Sequence, residues 1–548
     1  MRVLVTNAQD DFRVKAYAGT NGVLLAMDLA EPRRKGLLGF AIEKQHGAKP
    51  WLFLFNSLTF PDKVHTFPQF RATPSDKAPL QKFRWADYAI NPGVAIHYRV
   101  HLAYGSPDAP QLGESLEVSV TSDDGQPSNQ GVIFNRAVAA SQAFQRKFPE
   151  LDALIDANKN LSIDAWPDAP RRWLENGLLG RLTGFIDRAL NASWALDVAI
   201  YEYELPVIVE AVNAAFARGA RVRVLYHAEP GDDGTLRNEA SLAALPAANK
   251  RGRVTHNIFH DKFIVLSKVD DTGSFHPEAV LCGSTNFTAN GVYRQANVIH
   301  VLDDARVSNS YRQVFEQIWA APEDVGATRQ WINRNNPMVP EEPLFTGFSP
   351  RTGEGDLDRF VDIINGARKD LLFVTAFALP DRILDALLGQ PNDDVLRYGL
   401  QNTTSRITGF HADRTAEFAA TALLNTGLEG WLRENMKGQK GNLLVHTKAV
   451  VTDFTSDTPT IISGSHNLSA AASSGNDENY LIIQGDTDLA DRYGLELLRF
   501  YEHYRFRYFA KKLALKQVKP LAVDDSWTDD YYRDGDLRML SRVRFCGR

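Results

Sequence analysis

His260-Asp-Lys262, running on into Phe263-Ile-Val-Leu266, and His446-Thr-Lys448, running on into Ala449-Val-Val-Thr452, are the two stretches on which the reading of this chain turns. Each leads through a second short apolar stretch, Val280-Leu-Cys282 or Thr460-Ile-Ile-Ser463, into a G-S-x-N turn. These turns are Gly283-Ser284-Thr-Asn286 and Gly464-Ser465-His-Asn467, placing Asn 26 residues after His in the first copy and 21 in the second. Residues two apart on a strand share a face, so His and Lys of H-x-K point into one space. Gly lets the backbone turn tightly beside them, and Ser and Asn add neutral donors. Two such sets facing each other surround one pocket with two imidazoles, two ammonium groups, two hydroxyls and two amides. That is an anion site with nucleophile and proton donor already paired, suited to a phosphodiester whose nonbridging oxygens need stabilising. Either H-x-K alone would pass for a surface histidine near a lysine; the repeat of the whole arrangement carries the inference.

Outward from the motifs the repeat continues. Ala195-Leu-Asp-Val-Ala-Ile-Tyr201 reads as a strand, then Leu205-Pro206 opens a helix with Ile208, Ala211, Val212, Ala215 and Phe216 on one face, stopped at Gly219. The second copy runs Leu371-Leu-Phe-Val-Thr-Ala-Phe377, then Leu379-Pro380 and a helix carrying Ile383, Leu384, Leu387 and Leu388, stopped at Gly389. Strand–helix–strand twice predicts an α/β fold of two similar α/β/α halves related by pseudo-twofold symmetry, with sheets side by side and the pocket at the seam. Pro-rich Arg334-Asn-Asn-Pro-Met-Val-Pro marks the join. Residues 1–124 hold short alternating strands and turn signals, an all-β sandwich whose Pro92-Gly-Val-Ala-Ile-His-Tyr-Arg-Val stretch is similar to fibronectin type III domains. The expected organisation is a sandwich over 1–124, a helical linker over 125–165, one half over 166–335, the other over 345–515, and a tail over 516–548.

The paired motifs resemble those of the phospholipase D superfamily, over roughly residues 170 to 510. The resemblance implies metal-independent phosphodiester cleavage through a covalent phosphohistidine. Carried over by position, the motif residues are His260, Lys262, Ser284 and Asn286, and His446, Lys448, Asp453, Ser465 and Asn467. The aspartate of the second copy, Asp453, has Ser267 in its place in the first, with Asp270 three residues on. The family's acidic residue beyond the turn is present as Glu478 in the second copy; the first has Gln295-Ala296-Asn297 there. A carboxylate behind an imidazole favours the tautomer and charge needed for attack. If Glu478 supports the histidine of the other half, His260 is the nucleophile and His446, backed by an amide, protonates the leaving oxygen. Lys262 and Lys448 hold the nonbridging oxygens, with Ser284 and Ser465 binding substrate.

Composition narrows the rest. Hydrophobic residues at 44% and charged residues at 23% are ordinary for a globular chain of two to four domains, and exclude a disordered or coiled-coil protein. A net charge of −6 excludes a basic packaging protein. Two cysteines, no long apolar run and no secretory leader predict a cytoplasmic protein without disulfides. His256, His411, His466 and His503 show no metal-ligand spacing, so no metal or cofactor is expected. The segment His503–Lys519 carries six Lys or Arg and no acid among aromatics. It reads either as a backbone-tracking surface or as a terminal helix packed on the sheet, the second slightly favoured. Nucleic acid is therefore the expected substrate, phospholipid the alternative, and a catalytically silent binding module the third reading. The sandwich is a surface for substrate or a protein partner, or packing for the rest.

Overall fold

The computed structural model describes the chain except residues 89, 125–129, 138–143, 145–146, 152–162, 256, 339–341, 422–444, 513–518 and 548. Much of the expected linker, His256 and most of the end of the basic segment lie outside the described residues.

The N-terminal part is all-β. Its strands are β1 (Arg2–Thr6), β2 (Phe12–Ala18), β3 (Val23–Leu29), β4 (Gly39–His46), β5 (Leu52–Phe53), β6 (Phe55–Asn56), β7 (Thr73–Pro74), β8 (Arg84–Asp87), β9 (Ala95–Ser106) and β10 (Ala109–Thr121). Two sheets, β1-β2-β3-β8 and β10-β9-β4-β5, share one core that includes Phe12, Val14, Leu25, Phe40, Ile42 and Tyr98. Alternation drives this: in β2, Phe12, Val14 and Ala16 enter the sandwich core while Tyr17 turns to a second one.

The remainder is mixed α/β, built on two larger sheets. The first comprises β11 (Gln130–Phe134), β12 (Trp194–Ile200), β13 (Arg221–His227), β14 (Lys250–Arg253), β15 (Lys262–Val269), β16 (Phe275–Gly283) and β17 (Val298–Leu302). The second comprises β18 (Leu344–Ser349), β19 (Asp370–Thr375), β20 (Leu396–Gln401), β21 (Gly409–His411), β22 (Ala416–Ala420), β23 (Ala449–Thr452), β24 (Thr460–Gly464) and β25 (Glu478–Gln484). Their orders, β11-β17-β16-β15-β12-β13-β14 and β18-β25-β24-β23-β19-β20-β22-β21, match position by position up to the added β21. In both, two parallel pairings lie on one side of the central strand and antiparallel ones on the other.

The apolar runs after each H-x-K are buried on both faces, as strands between two layers must be. Phe263 and Val265 face a core shared by the two sheets, while Ile264 and Leu266 face the outer helices of the first. Ala449 and Val451 face the shared core and Val450 the outer helices of the second. Helices Ala305–Ala320 and Thr487–Lys512 contribute to the shared core.

One expectation changes. The chain from Val132 onward, expected to be helical, opens with β11, which pairs antiparallel with β17; its Val132 and Phe134 fill the shared core. Up to Lys512 the basic aromatic segment takes its favoured reading, the end of the packed helix Thr487–Lys512, where Tyr504 and Tyr508 are buried and Arg505 is paired with Glu417. The aromatic C-terminal residues cap the sandwich: Trp527 stacks on Phe83 at 5.4 Å and donates to the Leu37 carbonyl at 2.8 Å.

Candidate active site

Each motif histidine precedes its strand and is bound by backbone to the other sheet. The His260 N–H donates to the Asp477 carbonyl at 2.9 Å, and the Asp477 N–H to the Ile258 carbonyl at 3.1 Å. On the other side the N–H groups of His446 and Thr447 donate to the Ala296 carbonyl at 2.9 and 2.8 Å. This exchange brings each histidine against the residues that follow the other half's G-S-x-N turn. The two rings then face each other with centroids 6.2 Å apart, close enough to hold one phosphorus between them. The turns require glycine. A Cβ on Gly283 would lie 2.2 Å from the Val298 carbonyl oxygen, and one on Gly464 2.4 Å from that of Asn479.

His260 Nδ1 lies 2.7 Å from Glu478 Oε2, which also accepts from Ser465 Oγ at 2.6 Å. Asn476 donates to the other carboxylate oxygen at 3.0 Å. His446 Nδ1 meets the Ser284 carbonyl and Asn297 Oδ1, each at 3.0 Å, and Ser284 Oγ donates to the same Asn297 oxygen at 2.8 Å. Ser284 and Ser465 therefore hold the residues behind the histidines; neither hydroxyl is free for substrate as the sequence suggested. His260 Nδ1 faces an acceptor only, so it carries the proton and leaves Nε2 to the pocket. His446 Nδ1 has two acceptors at 3.0 Å and the Lys448 ammonium at 3.2 Å, and the two acceptors favour the proton on Nδ1.

Lys262 Nζ donates to the His260 carbonyl at 2.7 Å; Lys448 Nζ sits 3.1 Å from His446 Nε2. All four side chains are buried. Burial lowers the His260 pKa to about 4 against the pull of Glu478, and lowers Lys262 to about 8. Burial, then the nearby ammonium groups, drive His446 well below its usual value, and Lys448 falls likewise. Burial works against the Glu478 charge, yet the His260 contact holds its carboxyl below the usual range. An anion placed between the lysines would favour the charged form of both histidines and both lysines.

Asn286 donates to Glu202, and its Oδ1 is buried without a partner, as is Oδ1 of Asn467. Tyr201 and Phe377 flank the rings, 5.3 Å from His260 and 6.2 Å from His446, and each lies over the lysine of its own half. Asp453 stands apart, accepting from the Arg368 and Lys369 backbone at 2.8 and 2.6 Å. His466 is buried against Asp356, its Nε2 3.3 Å from the carboxylate, and does not join the pair. A cavity of about 540 Å³ lined by Asn21, Phe134, Arg181 and Leu495 also lies away from the histidines.

Two groups behind the site carry no sequence signal. Arg253, fully buried, grips Asp477 with two bonds at 2.9 and 3.0 Å and so fixes the segment that carries Glu478. Asp261, the middle residue of the first H-x-K, accepts from Asn479 Nδ2 at 2.8 Å; burial, with Asp477 nearby, raises its pKa to about 8.

Residues 185–319 match the family described as cardiolipin synthase, PLD-like domain. The mitochondrial cardiolipin hydrolase of Xenopus tropicalis is 31% identical over 135 residues, 24% of this chain and 57% of the relative, so the chain spans little more than half the length of that curated protein. Among solved structures, phosphatidylserine synthase of Haemophilus influenzae Rd KW20 is 11% identical at a TM-score of 0.40, covering 62% of this chain and 91% of that one. Nuc of Salmonella typhimurium, a phospholipase D family member, is 23% identical at a TM-score of 0.21, covering 26% and 86%. Both likenesses are loose in overall shape.

Proposed function

The chain belongs to the phospholipase D superfamily, and we propose that it is a metal-independent phosphodiesterase that cleaves nucleic-acid phosphodiester bonds through a covalent phosphohistidine. The observation that carries this is the facing histidine pair with a carboxylate behind one ring only. His260 Nε2 attacks phosphorus as the bond to the leaving oxygen breaks, and Glu478 stabilises the positive charge that develops on the ring. His446 Nε2–H protonates the leaving oxygen. In the empty pocket His446 is neutral; the phosphate charge between Lys262 and Lys448 lifts its proton affinity, so substrate arms its own acid. Water then attacks the phosphohistidine, His446 takes its proton back, and the phosphorus–nitrogen bond breaks to free His260. Tyr201 and Phe377, on either side of the pocket, offer rings on which bases flanking the scissile phosphate stack.

A phospholipid diester is the second reading, favoured by the likeness to the mitochondrial cardiolipin hydrolase of Xenopus tropicalis. Among the described residues no helix is long and apolar enough to cross a membrane, so a lipid would be met at a surface. The test is hydrolysis, with EDTA present, of bis-p-nitrophenyl phosphate, plasmid, single-stranded DNA, RNA and cardiolipin vesicles. Nucleic-acid cleavage that vanishes in His260→Ala supports the first reading; release from vesicles alone replaces it with the second. Binding of these substrates with no turnover leaves a silent module.

The same proposal covers the organisation and setting. The matched sheet orders support pseudo-twofold halves, the first drawn to begin at β11 and the second over 345–515. The order β2-β3-β8 facing β10-β9-β4-β5 supports a fibronectin III-like sandwich with β1 added at its edge. The cytoplasmic setting is proposed on the two cysteines, both free and buried.

A further inference from the structure

Glu202 has no role in the chemistry above, yet its carboxylate stands in the pocket. It follows Tyr201 directly and accepts a hydrogen bond from the Asn286 amide. The backbone fixes it there: the Phe287 N–H donates to the Glu202 carbonyl at 3.0 Å, and the Glu204 N–H returns a bond to the Phe287 carbonyl at 3.0 Å. Burial raises its pKa and the Lys262 charge opposes that rise; in return Glu202 favours the charged Lys262. Glu204, two residues on, is engaged elsewhere with Arg237 at 2.8 Å. In the second half the residue after Phe377 is the exposed Ala378, so this carboxylate has no counterpart.

A half-buried anion beside a phosphate-binding amide and ammonium repels the ligand it flanks. We propose that Glu202 sets the charge selectivity of the pocket, admitting a monoanionic phosphodiester and expelling dianionic phosphate species. This rests on the phosphodiesterase reading and sharpens its substrate and product chemistry. Coulomb energy is proportional to ligand charge. A fixed carboxylate therefore penalises a dianion twice as much, in free energy, as a monoanion in the same place. The diester entering carries one negative charge; the phosphomonoester leaving carries nearly two above its second pKa of about 6. Asn286 serves the same end: Glu202 holds one N–H, leaving its Oδ1 buried without a donor. That acceptor is a poor neighbour for a second phosphate charge.

The test is calorimetric binding at pH 8 of inorganic phosphate, a dianion, and dimethyl phosphate, a monoanion, to the full chain. Glu202→Gln keeps an acceptor for Asn286 and removes the charge. It is expected to tighten inorganic phosphate by roughly tenfold and dimethyl phosphate by roughly threefold, the ratio that doubling the charge dictates. Glu202→Asp retains the wild-type ratio. Ala378→Glu, at an exposed position, adds the missing carboxylate and weakens the dianion more than the monoanion, which keeps the idea testable should Glu202→Gln misfold. Equal changes for both ligands, or none, overturn it. Wild-type turnover of bis-p-nitrophenyl phosphate is read separately: its absence sinks the phosphodiesterase reading, while the binding ratio alone decides the role of Glu202.

Discussion

His260 and His446 occupy matched frames with unlike neighbours. Each follows a backbone clasp to the opposite sheet, precedes a doubly buried strand, and has a serine hydroxyl fixing the group behind its ring. Behind His260 that group is the Glu478 carboxylate, with Asp477 beside it; behind His446 it is the Asn297 amide, with Ala296 beside it. The two frames share strand order and backbone clasp, and the proposed division of labour rests on the one carboxylate-for-amide difference between them. Removing either histidine is the most severe way to probe this. His260→Ala is expected to lose about 10³-fold or more in turnover and all covalent phosphoryl adduct. His446→Ala is expected to retain an adduct on His260 with a leaving group that needs no proton. An adduct mapped to His446 in the wild-type protein refutes the division.

The next largest effect concerns what holds one frame and not the other. Arg253 and Asp477 form a fully buried ion pair, and the matching position of Asp477 is Ala296. Arg253→Met strands a buried carboxylate and is expected to cost about 3–5 kcal/mol of stability in urea unfolding. Removing Asp477 as well recovers part of the loss, because the stranded charge is gone; a double variant no better than the single one breaks this account.

Smaller changes exchange the two groups themselves. Glu478→Gln is expected to slow turnover by about 10²-fold, since the developing imidazolium loses its counter-charge. Asn297→Asp alone puts a carboxylate behind both rings and is expected to slow it by about tenfold, by holding the proton on the acid. Joined in one chain, they are expected to move the adduct to His446. Adduct that stays on His260 would show that position, rather than charge, assigns the roles.

How far the sequence foretold this depends on separation along the chain. The motif residues were legible because each H-x-K and G-S-x-N is local and repeated, and Glu478 and Asn297 because they follow their turns at matching distance. Burial on both faces was legible in the apolar runs of β15, β16, β23 and β24. The hydroxyls of Ser284 and Ser465 pointed behind the rings because the strand after each turn sits within reach, which spacing alone does not reveal. Arg253 meets Asp477 across 224 residues, and neither lies in a repeated pattern. β11 was misread because a five-residue strand completing a distant sheet has no partner nearby in sequence. The basic segment could be read only as slightly favouring a packed helix, because its aromatic stripe and its cations alternate on one helix and only packing decides which face is covered.

The subtlest contrast lies in the middle residues of the two motifs, Asp261 and Thr447. Thr447 donates to the Ala296 carbonyl at 3.0 Å and carries no titratable group. Asp261 is buried with its pKa raised to about 8, against an ordinary carboxylate value when unfolded. The folded chain therefore binds a proton there that the unfolded chain releases. Its contribution to stability is full below about pH 4 and is lost as pH rises through about 8. His260, lowered to about 4, acts in the opposite sense below its ordinary value of 6.5, and Lys262, lowered to about 8, does so above that pH. Between pH 6.5 and 8 the Asp261 contribution stands clear of both, and over that interval it amounts to about 2 kcal/mol. Asp261→Asn keeps an oxygen for Asn479 and cannot ionise, so its urea midpoint is expected to change less over this interval than that of the wild type. A midpoint difference that is the same at pH 6.5 and pH 8 would mean that Asp261 is ionised in the folded protein, and that the two motifs differ at this position in shape alone.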